Sequence, residues 1–147
     1  VSNLIGQKKT DDVIILVKKM AKMNFVIASF IGLLLILFRL FIVKIYTTDS
    51  LLINEALKVY PVIILANFIS SSALIFLFAV TGTGSSQWAL LAEIISITIY
   101  LIYVYITSIV LNSELKFIWG AEALYWVTAF LLSAGFLKWG KWREVKI

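Results

Sequence analysis

The sequence contains no cysteine and no histidine, and it has a single proline among 147 residues. Thiolate and imidazole chemistry are therefore both absent, which excludes a disulfide scaffold and leaves zinc, haem and iron–sulfur sites without their usual ligands. Charge is also scarce, because Asp, Glu, Lys and Arg make up 14% of the chain, against about a quarter in soluble domains. These shortages exclude a soluble enzyme and a disordered tail.

Apolar side chains fill the place of the missing charge. Hydrophobic residues make up 62% of the sequence and aromatic residues 14%, and residues 59–92 contain no acidic or basic side chain. Such a composition is typical of an integral membrane protein. The net charge of +5 does not indicate nucleic-acid binding, because the basic residues flank apolar segments and form no basic stripe with interleaved aromatics.

The hydropathy pattern predicts an all-α, polytopic membrane bundle of four transmembrane helices. Thr10 or Asp11 is the expected N-cap of the first helix, and Asp49 or Ser50 that of a lead-in to the second. Pro61 predicts a bend where this lead-in meets the second span. A membrane span needs about 20 mostly apolar residues, and the predicted spans cover residues 23–43, 59–80, 88–110 and 118–137.

The distribution of Lys and Arg predicts that both termini and the TGTGSS turn face the cytoplasm, with the chain in the inner membrane. Nine basic residues fall on the side of the termini: Lys8, Lys9, Lys18, Lys19, Lys22, Lys138, Lys141, Arg143 and Lys146. Three fall on the opposite side: Lys44, Lys58 and Lys116. Four tryptophans near predicted span ends fit an interfacial aromatic belt: Trp88, Trp119, Trp139 and Trp142.

Several segments, in this order, resemble a MATE multidrug and toxin extrusion transporter. They are VSNLIGQKKTDD, IYTTDSLLI, VTGTGSSQWALLAEIISITIYLIYVY, AEALYW and FLKWGKW. The most specific element is the TGTG turn after an apolar helix, followed by an acid nine residues beyond Gly84. The resemblance covers essentially the whole chain, residues 1–147, and matches the last four helices of the family's second lobe.

The resemblance implies a twelve-helix fold of two six-helix lobes, with Val1 at the end of the eighth helix and the preceding part of the chain as a further partner. Family members are similar to sodium- or proton-coupled antiporters, with coupling carboxylates in the first or seventh helix. Some carry another acid midway along the tenth helix, where this chain has Asn67 to Ser72 and no acid. The coupling residues are thus expected outside these 147 residues, and no cofactor or metal is implied.

Glu93 begins a polar stripe on the third predicted span. Ser96, Tyr100, Tyr103 and Thr107 follow at steps of three and four residues and share its helical face. An ionisable group inside a span is a default functional candidate, and tyrosine rings offer π faces to a cation. We therefore predict a substrate-facing wall. The alternative is that Glu93 pairs with a lysine such as Lys22 while the tyrosines only pack against neighbouring helices.

Two further sets of polar residues lie inside the predicted spans. Asn67 and Ser71 are one turn apart on the second span, and they either bond between helices and to their own helix or form a pocket that faces the polar stripe. Arg39 and Glu122 lie towards the same membrane side, so that a structural ion pair between them is possible, and capping or snorkelling is the alternative. The TGTG glycines lack the lysine of a phosphate-binding loop and indicate only a tight turn.

Three classes of function are compatible with this sequence. The resemblance favours part of a secondary active antiporter that exports drugs or amphipathic cations by alternating access. A lipid-linked oligosaccharide flippase of the same superfamily is an alternative, although Arg39 is the only basic residue well inside a span. A freestanding four-helix scaffold or small exporter is the remaining alternative. An enzyme is not expected. Without His or Cys it would need a pair of acids, and Glu93 and Glu122 lie towards opposite membrane faces.

Overall fold

The computed structural model describes residues 1–144, and within that part of the chain every regular element is a helix. Four helical segments are long and apolar enough to cross a membrane, and each predicted span lies inside one of them. The predicted all-α membrane bundle is confirmed. The elements are α1 Ser2–Gly6, α2 Thr10–Tyr46, α3 Ser50–Gly82, α4 Ser86–Tyr105, a π-helical turn Ile106–Val110, α5 Leu115–Ile118, α6 Gly120–Trp139 and a final 3₁₀ turn Lys141–Glu144.

Asp49 caps α3 as predicted. Its side-chain oxygen accepts a hydrogen bond from the Leu51 backbone N–H at 2.8 Å, which satisfies one of the free donors of the first turn. The lead-in and the span form one helix that continues through Pro61. The predicted N-cap of α2 is wrong, because Lys9 takes that position without a side-chain cap, and Thr10 and Asp11 are already helical.

The tight turn between α1 and α2 explains this earlier start. Lys8 has a φ of 59°, in the left-handed region, and the Lys9 N–H donates to the Leu4 carbonyl at 2.8 Å. The chain reverses within these two residues, so that α2 begins directly at Thr10. Asp11 and Asp12 then lie in its first turn, where negative charge is favourable.

The four long helices are not arranged in sequence order. α2 packs against α3, α3 packs equally extensively against α6, and α6 in turn packs against α4. α3 and α4 follow each other in the chain, yet their mutual contact is much smaller than the contact that each makes with α6. Across the bundle the order is therefore α2, α3, α6, α4. This order decides which polar side chains can meet.

The larger apolar core lies at the end of the bundle where both termini of the described chain meet the α3–α4 turn, which we call the terminal end. It brings together residues of α1, α2, α3, α4, α6 and the last 3₁₀ turn: Ile5, Val13, Val17, Leu77, Ala79, Val80, Ala89, Leu137 and Trp142. A smaller core at the opposite end contains Val43, Tyr60 and Ile64. Lys146, counted above among the basic residues, lies outside the described residues.

Trp142 corrects one sequence-based expectation. An interfacial belt would leave this ring in contact with lipid, but it is only 1% exposed, and its indole N–H donates to the Leu137 carbonyl at 3.0 Å. The turn after Gly140 folds the chain back onto α6 and inserts the ring among apolar side chains. Trp88, Trp119 and Trp139 are exposed, as a belt requires.

Small residues line the helix interfaces. Lipid tails are as apolar as the helices, so membrane helices associate by close packing, and small residues allow that close approach. At one of them, Gly32, an added Cβ would lie 3.1 Å from the Phe68 ring, so α2 and α3 are in close contact there. Three helices each bury a pair of small residues four positions apart: Ala28 with Gly32, Ala92 with Ser96, and Ala129 with Ser133.

The α3–α4 turn confirms the expectation that TGTG forms a tight turn. Gly84 has a φ of 84°, which glycine adopts without strain. Gly82 has a different role from the one predicted, because it is the last residue of α3 and lies against the N-terminus. A Cβ there would approach Val1 to 2.9 Å, and the Ser2 hydroxyl donates to the Gly82 carbonyl at 3.0 Å. The N-terminal segment is thereby fixed to the turn.

Candidate substrate-binding site

The polar stripe of α4 faces the interior of the bundle. Ser96 is fully buried and Thr107 nearly so, while Glu93, Tyr100 and Tyr103 are half-buried. The contacts of Tyr100 and Tyr103 described below join this face to α5 and α6. The structure therefore places all five side chains of the stripe away from the most lipid-accessible side of α4.

The two hydroxyls at buried positions of the stripe are satisfied within their own helix. Ser96 donates to the Ala92 carbonyl at 2.8 Å, and Thr107 donates to the Tyr103 carbonyl at 2.8 Å. Such bonds remove the cost of an unpaired donor in an apolar environment. Neither hydroxyl is committed to a neighbouring helix, so the stripe remains polar without linking α4 to α6 by side-chain hydrogen bonds at these two points.

A groove opens beside the centre of the stripe, between α4 and α6. It has a volume of about 240 Å³ and is lined by Ile97, Tyr100, Leu101, Glu122 and Tyr125. The rings of Tyr100 and Tyr125 meet edge to face, with centroids 6.5 Å apart and planes at 87°. Glu122 contributes a carboxylate to the lining, and Glu93 lies on α4 about one helical turn from Ile97. The groove thus combines two tyrosine rings and one carboxylate with aliphatic side chains.

Tyr103 has a positioning role at the end of the stripe opposite the terminal end. Its hydroxyl donates to the Phe117 carbonyl in α5 at 3.0 Å. The same oxygen would lie 3.0 Å from a Cβ added at Gly120, the first residue of α6. A side chain at that position would displace the tyrosine hydroxyl. Tyr103 therefore holds the α5–α6 junction against α4.

Asn67 and Ser71 lie at the interface between α2 and α3. The Asn67 amide donates to the Ala28 carbonyl of α2 at 3.5 Å, and the Asn24 amide of α2 donates in return to the Ser71 carbonyl of α3. The Ser71 hydroxyl donates to Phe68 of its own helix at 2.7 Å. The expectation that these two residues bond between helices or to their own helix is confirmed. Their contacts are with α2 and not with the polar stripe.

The two ion pairs considered for the membrane spans are absent from residues 1–144. Lys22 and Arg39 are exposed on α2, which α3 separates from α4 and from most of α6, so neither Glu93 nor Glu122 forms the pair proposed for it. Ion pairs form instead at the end of the bundle opposite the terminal end, between Lys58 and Glu55 at 2.7 Å and between Lys116 and Glu114 at 2.8 Å. A side-chain hydrogen bond from Lys116 lowers the pKa of Glu114 from its usual value.

A family model described as MatE matches residues 1–106. The chain belongs to the MatE family. It is therefore a membrane transporter chain, and the family predicted from its sequence is confirmed. No curated protein and no solved structure matches the chain.

The match with the MatE model covers α1 to α4 and ends at the first residue of the π-helical turn. All six predicted site residues lie within it: Asn67, Ser71, Glu93, Ser96, Tyr100 and Tyr103. The α6 wall of the groove lies beyond the matched region. Within residues 1–144, acidic side chains form no group of three or more that could hold a metal ion.

The structure places three further residues at these sites, which the sequence analysis did not predict there. Glu122 was assigned to capping or pairing, and Tyr125 was not singled out, but both line the groove opposite Tyr100. Their spacing of three residues places them on one face of α6, which is the signal that would have found them. Asn24 lies in an apolar run, and a polar side chain within a predicted span is the feature that would have identified it as a candidate.

Proposed function

We propose that this chain contributes the α4–α6 wall of the substrate pathway in a secondary active antiporter that exports drugs or amphipathic cations. The observation that carries the proposal is the groove between α4 and α6, where two tyrosine rings and the Glu122 carboxylate lie near the turn of α4 that carries Glu93. Carboxylates attract a cation into a region of low dielectric, and tyrosine rings offer it flat, electron-rich faces. The same surfaces also accommodate the apolar part of an amphipathic molecule.

The six candidate residues have different roles in this proposal. Glu93 supplies charge, Tyr100 supplies a ring, and Tyr103 and Ser96 hold the shape and polarity of the α4 wall. Asn67 and Ser71 act from the neighbouring interface, where the Asn67 amide and the Ser71 backbone carbonyl form hydrogen bonds that join α3 to α2. Alternating access requires such rigid groups of helices to move together. Exchange for sodium or protons is assigned to carboxylates outside these residues.

Replacing Glu93 with glutamine tests the role of its charge. In the complete protein, we expect Glu93→Gln to lower the tolerated concentration of cationic dyes by roughly tenfold, because a lost interaction with a charged group amounts to about 1.5 kcal/mol. Resistance to an uncharged substrate should change less. The measurement is the growth of cells that depend on this transporter, together with the amount of transporter in the membrane.

The matched control is Glu114→Gln, which makes the same chemical change in an exposed connector that does not line the groove. This variant should retain full resistance. Tyr125→Leu is a second variant on the opposite wall of the groove and should affect the same cationic dyes. Unchanged resistance of both Glu93→Gln and Tyr125→Leu at normal membrane levels would remove the groove from the substrate pathway.

The orientation proposed for the chain places both termini and the α3–α4 turn in the cytoplasm, with the protein in the inner membrane. The excess of Lys and Arg at the terminal end supports it. A cysteine introduced at Ser85 should react with an impermeant maleimide only after the cells are opened. Thr48→Cys, in the α2–α3 connector at the other end, should react in intact cells. The reverse labelling pattern would overturn this topology.

A further inference from the structure

A second groove, distinct from the one beside Glu93, lies at the terminal end of α4 and α6. It has a volume of about 520 Å³. Trp88 and Phe136 stack with their ring centroids 5.2 Å apart and form its base. We call it the tryptophan groove, and the residues that line it are apolar or aromatic: Trp88, Leu131, Leu132, Gly135, Phe136, Trp139 and Gly140.

The width of the tryptophan groove depends on a glycine, which has no side chain to fill it. Gly135 lies in its wall, and a Cβ added there would be 3.5 Å from the Trp139 ring, at ordinary contact distance. A larger side chain at this position would project into the groove. Leu131 and Trp139 are eight residues apart on α6, which corresponds to about 12 Å along the helix axis. The groove therefore extends along α6 from the C-terminal end of that helix towards its middle.

Positive charge is concentrated at the mouth of this groove. The Lys138 ammonium group lies 4.7 Å from the centroid of the Trp139 ring, which is itself 75% exposed. Lys141 is exposed and follows Gly140, whose backbone also lines the groove. Within the described residues no acidic side chain lines the groove. An apolar slot with a cationic mouth at the level of the membrane surface matches the two parts of an anionic phospholipid.

We propose that the tryptophan groove binds one anionic phospholipid, with an acyl chain along Leu131, Gly135 and Phe136 and the phosphate between Lys138 and Lys141. Aromatic rings and lysines at this depth are suited to the boundary between acyl chains and headgroups. Charge complementarity distinguishes an anionic lipid from a neutral one.

The test uses the complete protein, purified in detergent and mixed with phosphatidylglycerol and phosphatidylcholine, with retained lipids counted by native mass spectrometry. We expect the unmodified protein to retain one phosphatidylglycerol in preference to phosphatidylcholine. Each lysine near a membrane surface contributes a factor of roughly five to the binding of an anionic lipid. The double variant Lys138→Gln/Lys141→Gln should therefore bind phosphatidylglycerol about 30-fold more weakly.

Three further variants separate a specific site from general surface charge. Lys138→Arg/Lys141→Arg keeps both charges and should keep the preference, and Gly135→Phe should reduce retention of both lipids by filling the slot. Lys18→Gln/Lys19→Gln removes two exposed charges from α2, which does not line the groove, and should have little effect. The proposal is overturned if the unmodified protein retains no phosphatidylglycerol, if Gly135→Phe retains as much, or if the α2 variant loses as much as the groove variant.

Discussion

The Trp142→Ala variant should lose about 3–5 kcal/mol of stability, which is the usual cost of truncating a fully buried large aromatic side chain. The ring is 1% exposed and packs in the terminal-end core with residues such as Val13, Val17 and Leu137. Its loss leaves a cavity where five helical elements meet and removes the indole hydrogen bond to Leu137. The measurement is the midpoint of thermal unfolding of the complete protein in detergent.

Trp139→Ala is the matched control for this prediction. The two tryptophans are three residues apart, but Trp139 is 75% exposed and lies outside the terminal-end core. Its truncation should change stability in detergent by less than about 1 kcal/mol, since surface substitutions usually have small effects. Equal destabilisation by the two variants would mean that Trp142 is not a core residue. Phosphatidylglycerol is omitted from both samples so that the tryptophan groove does not contribute.

The second large effect is expected for Gly32→Leu at the contact between α2 and α3. A Cβ at Gly32 already meets the Phe68 ring at 3.1 Å, so a leucine side chain must displace the ring or separate the helices. Overpacking of this kind costs roughly 1–3 kcal/mol, and more where the backbone must move. The separation would also break the hydrogen bonds that the side-chain amides of Asn24 and Asn67 donate across the same interface. We expect a lower melting temperature and less transporter in the membrane.

Gly6→Leu controls for the general effect of replacing glycine by leucine in a helix. No atom lies within 4 Å of a Cβ added at Gly6, so the substitution there meets no steric obstacle. Gly32→Ala gives an intermediate case, in which the Phe68 ring must move by only a few tenths of an ångström. Stability should therefore fall in the order Gly6→Leu, Gly32→Ala, Gly32→Leu. An unchanged melting temperature for Gly32→Leu would contradict the close helix contact.

Features that depend on depth in the membrane or on residues close together in the chain could be predicted from the sequence. Apolar runs gave four helices, and local residue chemistry gave the Asp49 cap and the Gly84 turn, because each depends on residues close together in the chain. The polar stripe of α4 followed from helical spacing alone. The structure buries Ser96 and Thr107 on that face, as the stripe suggested.

Features that depend on which helices are neighbours could not be predicted in this way. Hydropathy gives the depth of Glu122 but not the fact that Tyr100 lies on the facing helix. It places Trp142 near the membrane surface, yet only the return of the chain after Gly140 shows that the ring points inward. The position of Asn67 beside α2 could not be predicted for the same reason. The α6 wall of the proposed substrate site could therefore not be predicted.

The order of the helices across the bundle has a consequence for biosynthesis. A ribosome delivers α3 and α4 to the membrane before α6, the helix that packs between them. Until then, the facing sides of α3 and α4 contact lipid, which is tolerable on α4 and the turn after it because Ser96 and Thr107 donate their hydroxyl protons within their own helical segment. Insertion of α6 then displaces lipid and completes the tyrosine-lined groove. The proposed substrate site is one of the last parts of this chain to assemble.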